Sequence, residues 1–417
     1  MAKNMTMAAL DAQFGNNSML SMVAEYLCRF PNIQRPASDL LCREFPIDHS
    51  TLVTILVTLA FTLLVVVAVV GNLLVMWIIG WHKVMHRGFN YFLFNLAFAD
   101  FLIALLNVCT TWTYNFYYDW WFGGFCAFNQ YFGVVPTCVS VFTMMVVSWD
   151  RCLAVVNPLR KRHFSNKTTI VMLLFIWMVA GTLGLPTVFY SNVKKQYYFS
   201  TLDGKLKIQR LCVNNFPYIE MYDYLILVTN YILPLIVLSV AYTRIAYSFR
   251  KSGHNIVASS KVKEHLAAKR RVVKMLALIV AIFMICWLPY QLYFAVLERY
   301  IKNFGFLASA YMSIYWLAMS ASAYNPIIYC YMNKRFRTGF KYAFRWLPFV
   351  HCSNEEYRNS GLFRGRSRSA FFSNAKLGGR CSEMSNKPST FSLDSNGVTL
   401  PSPSPRPHSP FFTSIRV

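Results

Sequence analysis

Between Leu52 and Tyr331 the chain is a series of long apolar runs separated by short polar gaps. Each run holds roughly twenty mostly apolar residues, the length that crosses a bilayer as a helix. Seven such runs are predicted, near Leu52–Ile79, Tyr91–Trp112, Phe125–Val147, Thr169–Tyr190, Tyr222–Ala246, Val272–Val296 and Phe306–Tyr331. Their apolar residues are continuous rather than alternating, which predicts helices and not the strands of a barrel. Pro186, Pro234, Pro289 and Pro326 fall inside the last four runs. Prolines there kink a helix, and neighbouring side chains or waters satisfy the carbonyls they free. The third run carries no charge from Phe125 until Asp150 and Arg151 appear side by side in "SWDRCLAVVNP".

The polar gaps are unequal. Lys83 and Arg87 follow the first run, and Arg160, Lys161, Arg162 and Lys167 follow the third. A block from Arg244 to Lys274 follows the fifth, and the tail after Tyr331 is the most basic piece. The segment before Thr51 is near neutral. Cytoplasmic loops carry the excess of Lys and Arg, so the N-terminus is expected outside and the C-terminus in the cytoplasm. Residues 1–50 show no basic start followed by a sustained apolar stretch, so the first helix is expected to direct insertion. Asn4 and Asn16 begin glycosylation acceptor triplets on the outer side.

Composition agrees with the pattern. The 417 residues are 56% hydrophobic and 17% aromatic, too apolar for one soluble domain of this length. The 41 Lys and Arg against 17 Asp and Glu leave a formal charge of +24. Such a charge suits nucleic acid or an anionic membrane face. A tethered basic tail beside an anionic leaflet explains it more simply, so lipids and no nucleic acid are the expected partners. Cys126 and Cys212 both fall on the outer, oxidising side, where a disulfide between them is the economical reading. Cys28 and Cys42 are a second candidate pair, left open. Cys109, Cys138, Cys286 and Cys330 read as small apolar residues within helices. Cys352 follows a short basic amphipathic stretch and is a palmitoylation candidate. From Ser353 the chain is rich in Ser, Arg and Pro and is expected to be disordered. The resulting division is an outer segment over 1–50, the bundle over 51–332, an amphipathic helix over 333–350 and a tail over 351–417. No internal repeat is visible, against a transporter built from duplicated halves. A membrane transporter or channel would also need a continuous polar pathway. No HExxH pair or clustered His–carboxylate site suggests an enzyme, and no cofactor or metal is expected.

Asp100 stands in the middle of the second run, where an ionised carboxylate costs roughly 2.5–3.5 kcal/mol on insertion scales. Asn72, Ser140, Ser322 and Asn325 are available partners. They make Asp100 either a structural hydrogen-bond hub or a hydrated ion site that differs between two conformations. "FMICWLPYQLYF" places Phe283 and Trp287 beside Pro289, a hinge at which a push by a ligand becomes a rotation.

The ordered set Gly71-Asn72, "NLAFAD", Cys126, Asp150-Arg151, Trp177, Pro234 with Tyr242, "CWLP" and "NPIIY" followed by "NKRFR" resembles the rhodopsin-like (class A) G-protein-coupled receptors. The resemblance covers roughly Leu52 to Arg345. Within that class "NYFLFNLAFAD", "AKRRVVKMLALIVAIFMICWLPYQLYF" and "YWLAMSASAYNPIIYCYMNKRFRTGFKYAFRWLPF" are similar to the tachykinin receptors, particularly the invertebrate tachykinin-related branch. Receptors for RYamide, luqin and neuropeptide Y-like peptides share much of the seventh run and are the neighbouring reading.

The resemblance implies an all-α membrane protein, a seven-transmembrane helix bundle with a short amphipathic eighth helix. It also implies a receptor and not an enzyme. Its partners would be an amidated neuropeptide, a heterotrimeric G protein of Gq type, and arrestin and receptor kinases on a phosphorylated tail. Asn107, Thr111 and Tyr114 share one helical face of the second run, seven residues above Asp100. With Asn129, Tyr290, Gln291, Phe294, Tyr311 and Tyr315 they are expected to line an outer pocket. By resemblance, Asn107, Tyr114, Phe294 and Tyr311 occupy positions implicated in peptide binding. Glu298 or Asp223 is expected to pair with a cationic peptide side chain. Arg151 would engage the G protein beside Val155, Val156, Pro158 and Leu159, with Tyr242 and Tyr329 rearranging around it. Asp100, Asn325 and Pro326 complete the expected activation switch. Two departures stand out. Ala321 occupies a place where many class members carry Asn near an ion site. Lys269 occupies the position at the base of the sixth helix where many relatives carry an acid that holds the arginine. Arg151 is therefore expected to be restrained mainly by Asp150.

Overall fold

The computed structural model describes residues 6–14, 17–30, 39–42, 49–86, 88–157, 165–253, 260–297, 304–360 and 362. Asn4, Asn16, Pro158, Leu159 and Glu298 lie outside them, as does the tail beyond 362.

Seven long helices form the body. They are α1 (Thr51–Trp81), α2 (Gly88–Tyr117), α3 (Cys126–Val156) and α4 (Asn166–Tyr190). Next, α5 runs from Ile219–Leu227 through a wide π turn at Val228–Ile232 to Leu233–Gly253. The sixth, α6, is Ser260–Leu292, ending in a π turn at Tyr293–Leu297, and α7 is Phe304–Met332. Each contains its predicted run and extends past it, except that α3 begins at Cys126, one residue after its run. The third run ends near Val147 but α3 continues to Val156, so Asp150 and Arg151 sit inside a helix and not at its border.

The exterior is apolar as well as most of the core, unlike that of a soluble protein, and buried polar groups are gathered inside. α1 turns Leu52, Leu56, Leu59, Leu63, Val66, Val70 and Leu73 outward at helical spacing, while Asn72 is buried. Asn95, Asp100, Asn107, Asn129, Ser140, Ser322 and Asn325 are buried as well. An apolar exterior around buried polar groups is what hydrocarbon solvent selects. Among the described residues six helices are long and apolar enough to cross a membrane. The seventh, α7, places Ser320, Ser322 and Asn325 in the interior and packs on α1 and α6.

The helices α3 and α4 meet at Gly184, where an added Cβ would lie 2.4 Å from Val135 Cγ2 and 2.9 Å from the Tyr131 ring. Gly184→Ala is therefore expected to cost about 1–3 kcal/mol through overpacking. Thermal denaturation in detergent should show a melting point several degrees lower. Gly181→Ala, whose Cβ meets only Tyr131 Oη at 3.4 Å, should leave it unchanged.

Two structures join the bundle that apolar periodicity does not announce. Between α4 and α5, β2 (Ser191–Phe199) and β3 (Leu206–Asn214) form an antiparallel hairpin in the register Ser191↔Asn214 to Phe199↔Leu206. Its turn uses Gly204 at φ +62°. The short strand β1 (Leu40–Leu41) adds in parallel to β2. Two N-terminal helices, Met7–Phe14 and Asn17–Arg29, pack Met7, Leu10, Leu20 and Ala24 against Leu40, Tyr197 and Phe199. The Asp39 carboxylate accepts from the Met7 and Ala8 amides, each at 2.9 Å. The pair left open in the sequence is made: Cys28–Cys42 is a disulfide.

At the opposite end, α8 (Lys334–Ala343) begins at the Asn333 cap and buries Phe336 and Gly339. The tail corrects an expectation. Disorder was expected from Ser353, yet Asn354–Asn359 is a helix, α9, capped by Ser353. Its anchor is Tyr357, which stacks on Tyr342 with ring centroids 3.6 Å apart. His82 Nδ1 donates to the Ile78 carbonyl at 2.8 Å, leaving Nε2 to accept from the Tyr357 hydroxyl at 2.6 Å. Burial holds the His82 imidazole below its usual pKa, which keeps that acceptor available. One buried aromatic with a satisfied hydroxyl outweighs a polar local composition.

Candidate functional site

At the hairpin end, α2, α3, α4, α5, α6, α7 and β3 enclose a cavity of about 420 Å³. Nine of the ten residues expected to contact a ligand line it: Asn107, Thr111, Tyr114, Asn129, Tyr290, Gln291, Phe294, Tyr311 and Tyr315. The tenth, Glu298, is outside the described residues. Asp223 is the one acid among the described lining residues.

The wall from α2 and α3 is a polar network. Asn107 Nδ2 donates to the Asn129 carbonyl at 3.0 Å and to its Oδ1 at 3.2 Å. The Thr110 hydroxyl donates to Asn129 Oδ1 at 2.6 Å, and Asn129 Nδ2 donates to Thr111 Oγ1 at 3.1 Å. Across the cavity, the Tyr315 hydroxyl donates to Asn107 Oδ1 at 3.2 Å. A π turn at Ile103–Val108 lies between Asp100 and this network. Such turns concentrate at functional positions because they re-aim the side chains beyond them. The opposite wall is aromatic. Tyr290 lies 4.9 Å from Phe294 and 5.4 Å from Trp287 between ring centroids, and Tyr311 stacks on Tyr315 at 5.9 Å. Tyr293, buried and 5.3 Å from Tyr311, joins this wall without having been expected.

The hairpin is held over the cavity by the Cys126–Cys212 disulfide, with Cα atoms 5.5 Å apart. Cys212 and Asn214 of β3 line the cavity directly. Trp120 is fully buried, donates from Nε1 to the Gly123 carbonyl at 2.8 Å, and donates its backbone amide to the Arg210 carbonyl. Arg210 also grips Asp119 at 2.6 Å. Burial pushes the Asp119 carboxyl upward, but the bonds from Arg210 outweigh it and hold the pKa below the usual value.

Beneath the cavity, Asp100 is buried and surrounded by donors. Asn325 Nδ2 reaches it at 2.7 Å, Ser322 Oγ at 3.2 Å and Ser140 Oγ at 3.3 Å. Asn72 is one shell away: it donates to the Ser322 carbonyl at 3.0 Å and does not touch the carboxylate. Trp287 stacks on Phe283 with centroids 5.6 Å apart and lies two residues before Pro289. Phe283 and Trp287 share one apolar core with Met144 and Val147 of α3.

There Asp150 and Arg151 form a 2.6 Å ion pair. Arg151 also lies over the Phe89 ring, 4.2 Å from its centroid, so an α2 aromatic contacts the guanidinium beside Asp150. The Tyr242 and Ser148 hydroxyls are 3.1 Å apart. Tyr329 is fully buried, stacks on Phe336, and its hydroxyl has no hydrogen-bond partner. Val155 packs beside Cys152, Ala241, Ile245 and Val273, whereas Val156 is exposed. Cys352 is partly buried against the tail end of the core. The side chain of Lys269 is outside the described set, and Arg270 lies over Phe249 at 5.2 Å.

Sequence reasoning missed Thr110, Phe89 and Tyr293 of these groups. Thr110 was accessible, being adjacent to Thr111 on a helix whose face was known. Nothing local marks the others.

The profile of the family described as "7 transmembrane receptor (rhodopsin family)" matches residues 71–329. The chain is 45% identical over 361 residues to the probable G-protein coupled receptor tkr-1 of Caenorhabditis elegans, covering 85% of this chain and 87% of that one. It is 38% identical over 308 residues to the substance-P receptor of Cavia porcellus, covering 71% and 72%. It is 38% identical over 304 residues to the neuromedin-K receptor of the same animal, covering 71% and 67%. A matched run from α1 through α7, a bundle with buried polar groups and outward apolar faces, and relatives aligned over most of their length lead to one assignment. The chain belongs to the rhodopsin family of seven-transmembrane G-protein-coupled receptors, multi-pass membrane proteins that are not enzymes, and within it resembles the tachykinin receptors.

Proposed function

We propose that this receptor binds an amidated neuropeptide of the tachykinin type in the cavity at its hairpin end and activates a heterotrimeric G protein at the Arg151 end. The observation that carries the reading is the cavity itself. A polar wall around Asn107 and Asn129 faces an aromatic wall around Tyr290 and Tyr311, and a packed path runs from Trp287 through the apolar core it shares with Met144 and Val147 to α3, the helix that carries Arg151. Concave, largely apolar sites with a few converging polar groups are what ligand recognition uses. A peptide that binds one arrangement of this path better than the other shifts the population of the receptor by that differential affinity.

In this reading the hairpin end faces outside, where Asn4 and Asn16 carry glycans. The basic end faces the cytoplasm, where a Gq-type protein, arrestin and receptor kinases dock and Cys352 carries an acyl chain. The support is the distribution of Lys and Arg in the connecting segments. Expression of the full chain with a promiscuous G protein, followed by a calcium screen of amidated peptides, tests the ligand class. A response to tachykinin-related peptides is expected; silence to these with a response to RYamide or luqin peptides would remove the ligand assignment.

Asp223 lines the cavity and supplies the anion for a cationic peptide side chain. Asp223→Lys should lower the potency of peptides bearing Arg near the amide end by roughly ten- to hundredfold, the range of one hydrogen bond to a charged group. Peptides with an uncharged end should keep theirs, and equal losses for both kinds would count against the pairing.

A further inference from the structure

Beside Asp223 the cavity has a wall built from α3, α4 and α5 in which three hydroxyls have committed their hydrogens to the protein. The Thr137 hydroxyl donates to the Gly133 carbonyl at 2.8 Å, and the Thr187 hydroxyl donates to the Gly184 carbonyl at 2.8 Å. The Tyr222 hydroxyl donates to the Leu183 carbonyl at 2.9 Å. What these groups retain for a ligand is lone pairs.

Asn230 carries this furthest. It stands in the π turn of α5, lines the cavity, and is 5% exposed. Its Oδ1 is buried and has no hydrogen-bond partner among the described residues. An amide oxygen left bare in the interior is destabilising until a donor reaches it. Its terminal torsion is broad, so a small turn brings the oxygen to the cavity surface. Asp223 lies seven residues earlier on α5, about two helical turns higher, and no other acid lines this wall. A guanidinium or ammonium seated here would be buried without a counter-charge. A carboxylate would set lone pairs against lone pairs. The complement of this wall is a neutral donor.

We propose that Asn230 is the specificity-determining residue of a deep, uncharged subsite that accepts a neutral carboxamide of the ligand. The proposal rests on the peptide-receptor reading and adds the chemistry of one contact within it. The carboxamide comes from either an amidated chain end or an Asn or Gln side chain, and the test separates them.

Three probes serve: a synthetic tachykinin-related peptide ending in Arg-amide, the same peptide ending in a free carboxylate, and the amidated peptide with its Asn and Gln residues replaced by Ala. Calcium responses are compared for the natural receptor, Asn230→Leu and Asn230→Asp, with surface display measured on each. If the chain end is the donor, Asn230→Leu lowers amidated-peptide potency roughly five- to hundredfold and leaves the free acid unchanged. In that case Asn230→Asp, which keeps an acceptor, preserves the preference for the amide. If a side chain is the donor, Asn230→Leu weakens the first two peptides alike and spares the Ala-substituted one. Unchanged potency for all three on a displayed Asn230→Leu receptor overturns the proposal, and so does an equal loss for all three. Silence of the natural receptor to every probe is a distinct result that removes the peptide reading and the proposal together.

Discussion

Asp150→Asn is expected to raise ligand-independent nucleotide exchange on the G protein roughly tenfold. The carboxylate of Asp150 holds Arg151 at 2.6 Å, and the two side chains are only 13% and 25% exposed, so solvent screens the pair incompletely. A hydrogen bond to a charged group contributes about 1.5–3 kcal/mol, and each 1.4 kcal/mol taken from one conformation changes a two-state ratio about tenfold. The base of α6 has Lys269, Arg270 and Arg271, which repel an arginine and cannot replace the lost acid. Phe89 remains beneath the guanidinium, and its cation–π attraction of about 0.5–2 kcal/mol keeps the shift from being complete. GTP-analogue binding to membranes without ligand, at matched receptor density, measures the effect. No change, or a fall, would mean that Asp150 does not hold the inactive arrangement.

The second large effect is expected from Cys126→Ala with Cys212→Ala. This disulfide closes a loop of 86 residues, for which the chain-entropy model gives about 4.6 kcal/mol of stabilisation. Its loss frees the hairpin that supplies Cys212 and Asn214 to the cavity and carries the N-terminal helices. The Arg210–Asp119 contact and the buried Trp120 stay behind, but the former is a surface pair and offsets little. The expected outcome is a severe drop in surface display and loss of peptide response of at least a hundredfold in what is displayed. The Cys28–Cys42 disulfide closes 14 residues, about 3.0 kcal/mol by the same relation, and supplies no residue to the cavity, so Cys28→Ala with Cys42→Ala should lower display less and leave the potency of displayed receptor within a few fold. Quantitative surface labelling beside calcium dose-response curves separates display from binding. Normal potency in the first double variant would show that the hairpin needs no tether.

The membrane helices were legible because crossing hydrocarbon is a local demand. About twenty contiguous apolar residues satisfy it whatever the neighbours do, so Leu52–Ile79 announces α1 unaided. The cavity-facing side of α2 was legible for a similar reason, since Asn107, Thr111 and Tyr114 recur at helical spacing. Asp100 and the Asp150–Arg151 pair were conspicuous because charge is rare in such runs. The hairpin was not legible: "SNVKKQYYF" is half charged or polar, and its strand state depends on pairing with β3. Nor were the π turns, which have no Gly or Pro at Ile103–Val108 or Val228–Ile232 to mark them.

The sequence by itself therefore determined the seven spans, their order, the family and the elements that carry the switch residues, because each follows from composition within one turn or one helix. Only the tertiary structure decided who meets whom. It set Tyr315 against Asn107 across 208 residues, His82 against Tyr357 across 275, and Phe89 beneath Arg151. It also left the Asn230 oxygen without a partner among the described residues, in a cavity wall where the Thr137, Thr187 and Tyr222 hydroxyls donate to backbone carbonyls. Such meetings depend on how helices pack after each has formed, and packing is shared among residues far apart in the chain, so no local pattern encodes it.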